Sequence, residues 1–170
     1  MSYNLVVFAR SVAPLRTRYF VQPGPDGLPA FSDGKAAVYH PDAVHMSVDQ
    51  RVAATYAFDP ANLAPGKPTH RVSNASVMKL PSFRAQENGD PKRTLVHVGD
   101  ASFAVDLLKR IFGATDEQTV GVVVRGKREA AVFHGDGWRA HVMPLNPDHV
   151  DGTSAFVDVG KLPLKAVTHV

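Results

Sequence analysis

Cysteine is absent from this chain. That one absence removes disulfides, thiol catalysis and thiolate metal sites, and it fits a reducing compartment. No apolar run approaches the roughly 18 residues of a membrane span. The N-terminus has no charged-then-apolar leader pattern. The expectation is a cytoplasmic protein with no membrane partner. Also missing are HExxH and a phosphate-binding glycine loop; Gly135-Asp136-Gly137 is too short and opens a strand instead of a helix. What is present is ordinary for a globular protein: 44% hydrophobic and 21% charged residues over 170 positions, enough for one domain with a real core. The formal charge of +3 permits contact with nucleic acid without requiring it.

Local signals agree best over residues 94–146. Residues 94–98 are a β-rich run. Residues 101–112 then carry helical spacing: Ala104, Leu108 and Phe112 share a stripe, with Leu107 and Ile111 beside it. Asp100 or Ser102 stands where an N-cap belongs, and Gly113 just past the end. Asp106, Lys109 and Arg110 fall on the opposite face. Three strands follow, 119–125, 128–134 and 138–145, with Gly126-Lys127 as a two-residue turn and Gly135-Asp136-Gly137 as the next. The unit reads βαβββ.

The first half is less regular. Residues 3–9 read as a strand. Residues 11–21 admit a helix, capped by Ser11 with Pro14 in its first turn, or a strand. Residues 22–33 contain three prolines and two glycines and are expected to be loop. Residues 35–40, 44–49 and 51–58 read as short strands, although a helix competes over 50–57. Residues 59–68 are a second loop. Residues 70–83 hold a strand or a short helix, and 84–93 is a polar separator. Strand patterns return at 155–159 and 164–170.

Strand, helix-or-strand and three strands in the first half match the second half in pattern. The fold class expected is therefore α+β, mostly antiparallel, as one domain over 1–170. Two βαβββ-like halves, about 1–68 and 92–146, would be followed by a strand tail over 147–170.

With Leu107-Leu108 in its helix and His141-Val142-Met143-Pro144-Leu145 at its end, the 94–146 unit resembles the closing half-domain of a bacterial DNA sliding clamp. Ser47-Val48-Asp49-Gln50-Arg51-Val52-Ala53 is similar, more faintly, to that family's strand-turn-strand segment. The resemblance implies a non-enzymatic, clamp-like homo-oligomer around duplex DNA, or a partner of replication proteins, with no cofactor. It places cations on helices facing phosphates: Lys109 and Arg110, and also Arg16 and Arg18 if residues 11–21 are helical. Such contacts are sequence-independent and salt-sensitive. Clamps carry several such domains per chain, whereas this chain has room for one. On the residues alone, an ordinary solvated helix face with Asp106 as a local partner explains Lys109 and Arg110 better than phosphate contact does.

Other classes stay open. Val44-His45-Met46-Ser47 and the run after Arg51 resemble a segment of ADP-ribosyltransferases, which implies an NAD site from Arg10, Ser47 and Glu129. Glu129, however, lies in an expected hairpin unlike that family's catalytic loop. A structural or assembly protein fits the strand-rich, cysteine-free composition. Of eight histidines, His40 with His45 and His134 with His141 flank turns, but no element carries three ligands, so no metal site is expected. Asp148 and Asp151 lie near His149 without a nucleophile at matching spacing. Phe133 and Trp138 could stack on bases, but core packing fits them better.

Overall fold

The computed structural model describes residues 3–12, 20–24, 27–32, 35–46, 67–80, 83–85, 91–145, 155–158 and 162–163. The chain begins with α1 (Leu5–Val12), then β1 (Phe20–Pro23), β2 (Pro29–Ser32), β3 (Ala36–Tyr39) and a 3-10 turn (Pro41–His45). After residue 67 come β4 (His70–Ser73), α2 (Asn74–Met78), β5 (Phe83–Ala85), β6 (Pro91–Val98) and β7 (Ala101–Ala104). Then follow α3 (Val105–Phe112), β8 (Thr119–Val123), β9 (Ala131–Gly135), β10 (Trp138–Val142), β11 (Ala155–Asp158) and β12 (Leu162–Pro163). Eight strands form one antiparallel sheet in the order β1-β2-β3-β10-β9-β8-β4-β12. A smaller sheet runs β11-β6-β5 with β7 also on β6, and its β11–β6 pair is parallel. The fold is α+β and mostly antiparallel, as expected. No described helix is long and apolar enough to cross a membrane.

Side chains alternate across a strand, so the registers sort the large sheet into two faces. Phe31, Val38, Ala140, Phe133 and Val122 are successive neighbours on one face. All five are buried, and all five join the main core with Leu5 and Phe8 of α1, Val77 of α2, and Leu108, Ile111 and Phe112 of α3. Phe133 packs edge-on against both Phe103 and Phe112. All three helices therefore cover the same face, and α1 and α2 each touch α3.

A helix followed by three antiparallel strands occurs twice, as α1–β1–β2–β3 and α3–β8–β9–β10, and the two meanders join through their third strands, β3 and β10. The second half keeps strands (β6 and β7) ahead of α3, as the expected βαβββ order has it, and the departure lies in the first half. The first half opens on a helix: residues 3–9, expected as a strand, hold α1 from Leu5. The run Leu5-Val6-Val7-Phe8 satisfies either period, and burial of Leu5 and Phe8 against α3 selects the helix.

Other departures have equally local causes. Residues 22–33 form a hairpin, not a loop. Pro23 and Pro29 sit opposite each other at strand ends, where no interior ladder donor is lost. Gly27, at φ 79°, makes the turn between them. The expected strand over 44–49 begins in the 3-10 turn, where His40 Nδ1 accepts the Asp42 N–H at 3.1 Å. Residues 70–83 contain both alternatives, β4 and then α2. Within the expected separator over 84–93, Arg84 and Ala85 of β5 pair with Lys92 and Pro91 of β6.

The expected helix over 101–112 starts only at Val105. Gly99, at φ 59°, and Asp100 turn β6 into β7, so the first part of that stretch is a strand. Neither Asp100 nor Ser102 caps α3; Ala104 stands at the cap without a side-chain bond. Gly126-Lys127 is not a two-residue turn, since β8 stops at Val123 and β9 resumes at Ala131. Asp136-Gly137 is one, with Gly135 paired to Trp138 and Gly137 at φ 75°. The strands expected over 51–58 and 164–170 lie outside the described residues.

Candidate nucleic-acid interface

Lys109 and Arg110 occupy the last turn of α3, as its periodicity predicts. Val105, Leu107, Leu108, Ile111 and Phe112 are buried, so the remaining positions of the helix turn away from the sheet: Asp106 exposed, Lys109 and Arg110 half-buried. Arg110 Nε and Nη1 are themselves shielded from solvent. Lys109 is therefore the cation with the freer reach. Among the described residues no ion pair joins Asp106 to Lys109. Both cations sit where the α3 dipole is negative, which stabilises the helix whatever else they do.

Two further cations, which periodicity did not single out for this role, share the helical layer. Arg10 is exposed in the last turn of α1, and Lys79 is exposed at the end of α2. Neither α1 nor α2 contains an acidic residue. Among the described residues of the three helices and their caps the cations are Arg10, Lys79, Lys109 and Arg110, and Asp106 is the one carboxylate. Arg16 and Arg18 lie outside the described residues.

Main-chain and side-chain bonds hold this layer in place. Asn74, at the start of α2, points its side-chain amide at the carbonyls of Phe112 (3.3 Å), Thr115 (3.2 Å) and Glu117 (3.1 Å), which closes the exit of α3. From the other side the Tyr3 hydroxyl donates to the Ile111 carbonyl at 2.8 Å, and the Asn4 N–H to the Ala114 carbonyl at 2.8 Å. Carbonyls at a helix C-terminus lack partners within the helix, so these bonds tie α1 and α2 to the end of α3. Burial of Tyr3 also pushes its phenol pKa well above the ordinary value, so it stays a donor.

The opposite face of the large sheet is unexpectedly polar. One register row runs Gln22, Ala30, Tyr39, Arg139, His134, Gly121, Arg71. The next runs Ser32, Ala37, His141, Val132, Val123. Gln22 Nε2 donates to the Tyr39 hydroxyl at 2.9 Å, Arg139 lies over the Tyr39 ring, and His141 packs against that ring at 4.8 Å. Gln22, Ser32, Arg139 and His141 are buried. Burial first, then the charges of Arg139 and Arg125 and the His134 ring, pushes the His141 pKa down to about 3. Burial and Arg139 lower His134 in the same way. His134 and His141, which flank a turn in the sequence, thus lie on one face and on adjacent strands. Among the described residues no three histidines, aspartates or glutamates gather as a metal would need.

The remaining sequence candidates separate. Arg10 lies on α1 and Glu129 in the 124–130 connection, with no hydrogen bond or ion pair between them, and Ser47 lies outside the described residues. Trp138 and Phe133 are buried core residues. A contact that sequence spacing missed joins Ser102 Oγ to His97 Nδ1 at 2.7 Å across the β6–β7 hairpin. Only the unsuspected turn at Gly99-Asp100 brings those two residues opposite each other. Set against known proteins, the chain matches no family model, no curated protein and no solved structure.

Proposed function

We propose that this chain associates with duplex DNA without reading its sequence, using the helical layer as a clamp-like surface. The observation that carries this is the charge of that layer: Arg10, Lys79, Lys109 and Arg110 against Asp106. Cations presented from rigid helices meet phosphates without base contacts, which is what sequence-independent binding needs. The repeated αβββ unit supports the reading, because α1 and α3 touch while β3 and β10 pair, which gives two related halves with their helices side by side. One such domain covers a limited arc of a duplex, so a protein that surrounds DNA would assemble from several copies.

The test measures affinity for a short duplex against salt concentration, with light scattering on the same samples. Log affinity should fall linearly with log salt, by about 0.9 per phosphate neutralised. Lys109→Glu with Arg10→Glu should weaken binding and flatten that slope by about two. A particle that gains no mass from DNA at low salt rules the reading out. Exposed Val6 (46%), Val7 (40%) and Met78 (42%) lie in the same helical layer and favour a second reading, in which this surface docks an assembly partner. In that case a protein complex of defined stoichiometry would replace the salt-dependent DNA complex.

A further inference from the structure

We infer that the end of the large sheet where β8 passes into β9 is a second contact for nucleic-acid phosphates, built around Lys67, Arg125, Lys127 and Arg128. The choice of nucleic acid as the polyanion rests on the DNA reading, whereas the surface itself is separate from the helical layer.

Register gathers the cations. β8 ends at Val123 and β9 begins at Ala131, so the connection Val124-Arg125-Gly126-Lys127-Arg128-Glu129-Ala130 closes this end of the sheet. On one flank β4 begins here, since His70 is the register partner of Val122, and Lys67 comes just before it. On the other flank β10 ends and β3 begins, with Val142 paired to both Ala131 and Ala36. There the Met143 N–H donates to the Lys35 carbonyl at 2.9 Å. Lys35, Lys67, Arg125, Lys127 and Arg128 are all exposed. They stand over the ends of the neighbouring strands β3-β10-β9-β8-β4, which span about 19 Å at the usual strand spacing. Among the described residues the carboxylates at this end are Glu129 and Asp100, the latter in the turn whose Gly99 backs onto the His70 ring.

The end is also fixed in place and positive in its field. Thr69 Oγ1 donates to the Val122 carbonyl at 3.1 Å and accepts the Val124 N–H at 3.0 Å, while the Thr69 N–H donates to the Val122 carbonyl at 2.7 Å. Lys67 and Arg125 therefore leave adjacent strands from a braced root. On the polar face just inside this end, Arg139, Arg125 and His134 each add to burial in opposing protonation of His141. Among the described residues no carboxylate offsets them there, so the charge of Arg125 extends over that face.

Phosphate suits this surface. Between Arg125 and Lys127, a Cβ at Gly126 would meet only the Glu129 carboxyl, at 3.9 Å, which leaves room beside the main chain. An exposed arginine engaged by a neighbouring group exchanges it readily, because surface ion pairs are weak and a nucleic-acid backbone releases counterions on contact. The helical cations lie elsewhere. The exit of α3 enters β8 at Thr119, the opposite end of the strand, where Asn74 and Trp138 both bond to Glu117.

Lysine protection tests the surface on the wild-type chain. The protein is acetylated with an N-hydroxysuccinimide ester, with and without a short DNA duplex at low salt, and the modified lysines are mapped by mass spectrometry. Lys67 and Lys127 should react severalfold more slowly with duplex present and regain their full rate at high salt. Lys67→Glu with Lys127→Glu should flatten the salt slope of duplex affinity by about two. An unchanged slope in that folded variant overturns the second contact. Protection of Lys79 and Lys109 alone also overturns it and leaves the helical reading standing. Protection of Lys67 and Lys127 alone sustains it and removes the helical reading. Protection of no lysine overturns both. Protection of Lys67 and Lys127 by inorganic polyphosphate but not by duplex overturns the assignment to nucleic acid. The wild-type map decides the matter even if the doubly substituted chain fails to fold.

Discussion

Trp138 and Glu117 are joined by a 2.6 Å hydrogen bond from the indole Nε1 to Oε1 of the carboxylate. The same carboxylate accepts the Asp136 N–H at 3.2 Å and the Thr115 hydroxyl at 3.1 Å. The β9–β10 turn is thereby fastened to the connection between α3 and β8. Trp138 lies under Tyr3, with ring centres 4.4 Å apart, so the fastening also reaches the segment that leads into α1.

Glu117→Ala should lower stability by about 1–3 kcal/mol, because a buried indole N–H loses its acceptor. Trp138 is the chain's one tryptophan, so urea unfolding followed by fluorescence reports this site directly. An unchanged midpoint would mean that water replaces the carboxylate without loss.

Gly135→Ala should destabilise by roughly 1–3 kcal/mol through overpacking. A Cβ there would run into Trp138 Nε1 and Cε2 and come within 2.6 Å of Glu117 Oε1. The indole would have to leave its seat, so the fluorescence maximum should move toward the solvent-exposed position even before unfolding. An unmoved spectrum with full stability would contradict the packing described.

His141 makes stability depend on pH in one direction. Its folded pKa of about 3 lies below the ordinary 6.5. Between those values the unfolded chain binds the proton and the folded chain does not, so stability rises with pH there. The contribution is fully present above about pH 6.5 and is lost as pH falls toward 3, at up to about 1.4 kcal/mol per unit. His141→Gln should flatten the slope of unfolding free energy between pH 6.5 and 4. An equal slope in both proteins would place the linkage elsewhere.

Arg139→Leu should raise the His141 pKa, because the positive charge that opposes its protonation most is gone while burial remains. Histidine ring signals followed by NMR through an acid titration would show the shift. His134 should move the same way, since Arg139 is its cross-strand partner.

Asn74→Ala should cost about 1–3 kcal/mol and raise hydrogen exchange at the end of α3. It removes a donor group directed at the Phe112, Thr115 and Glu117 carbonyls. Unchanged exchange in residues 113–117 would show that the connection holds without it.

Sequence periodicity was reliable where one period dominates over a long run. The polar face of α3 with Lys109 and Arg110, the strands β8, β9 and β10, and the Asp136-Gly137 turn all follow from spacing and from glycine at positive φ. It misled where two periods fit the same letters. Leu5-Val6-Val7-Phe8 suits strand and helix alike. Pro23 and Pro29 read as loop until their opposed places at strand ends are known. The hairpin at Gly99-Asp100 was hidden because Ala101, Ala104 and Leu108 also suit a helix.

Composition and spacing alone determined a cysteine-free α+β chain, mostly antiparallel, with cations gathered at the end of its best helix. Tertiary structure decided which residues meet. Register brought Tyr39, Arg139, His134 and His141 onto one face from three strands, although more than ninety positions separate Tyr39 from His134 along the chain. It likewise set Ser102 opposite His97. The physical reason is that a strand's sequence fixes which residues alternate, while its neighbour and its register are chosen by burial across the whole sheet. No local pattern carries that choice.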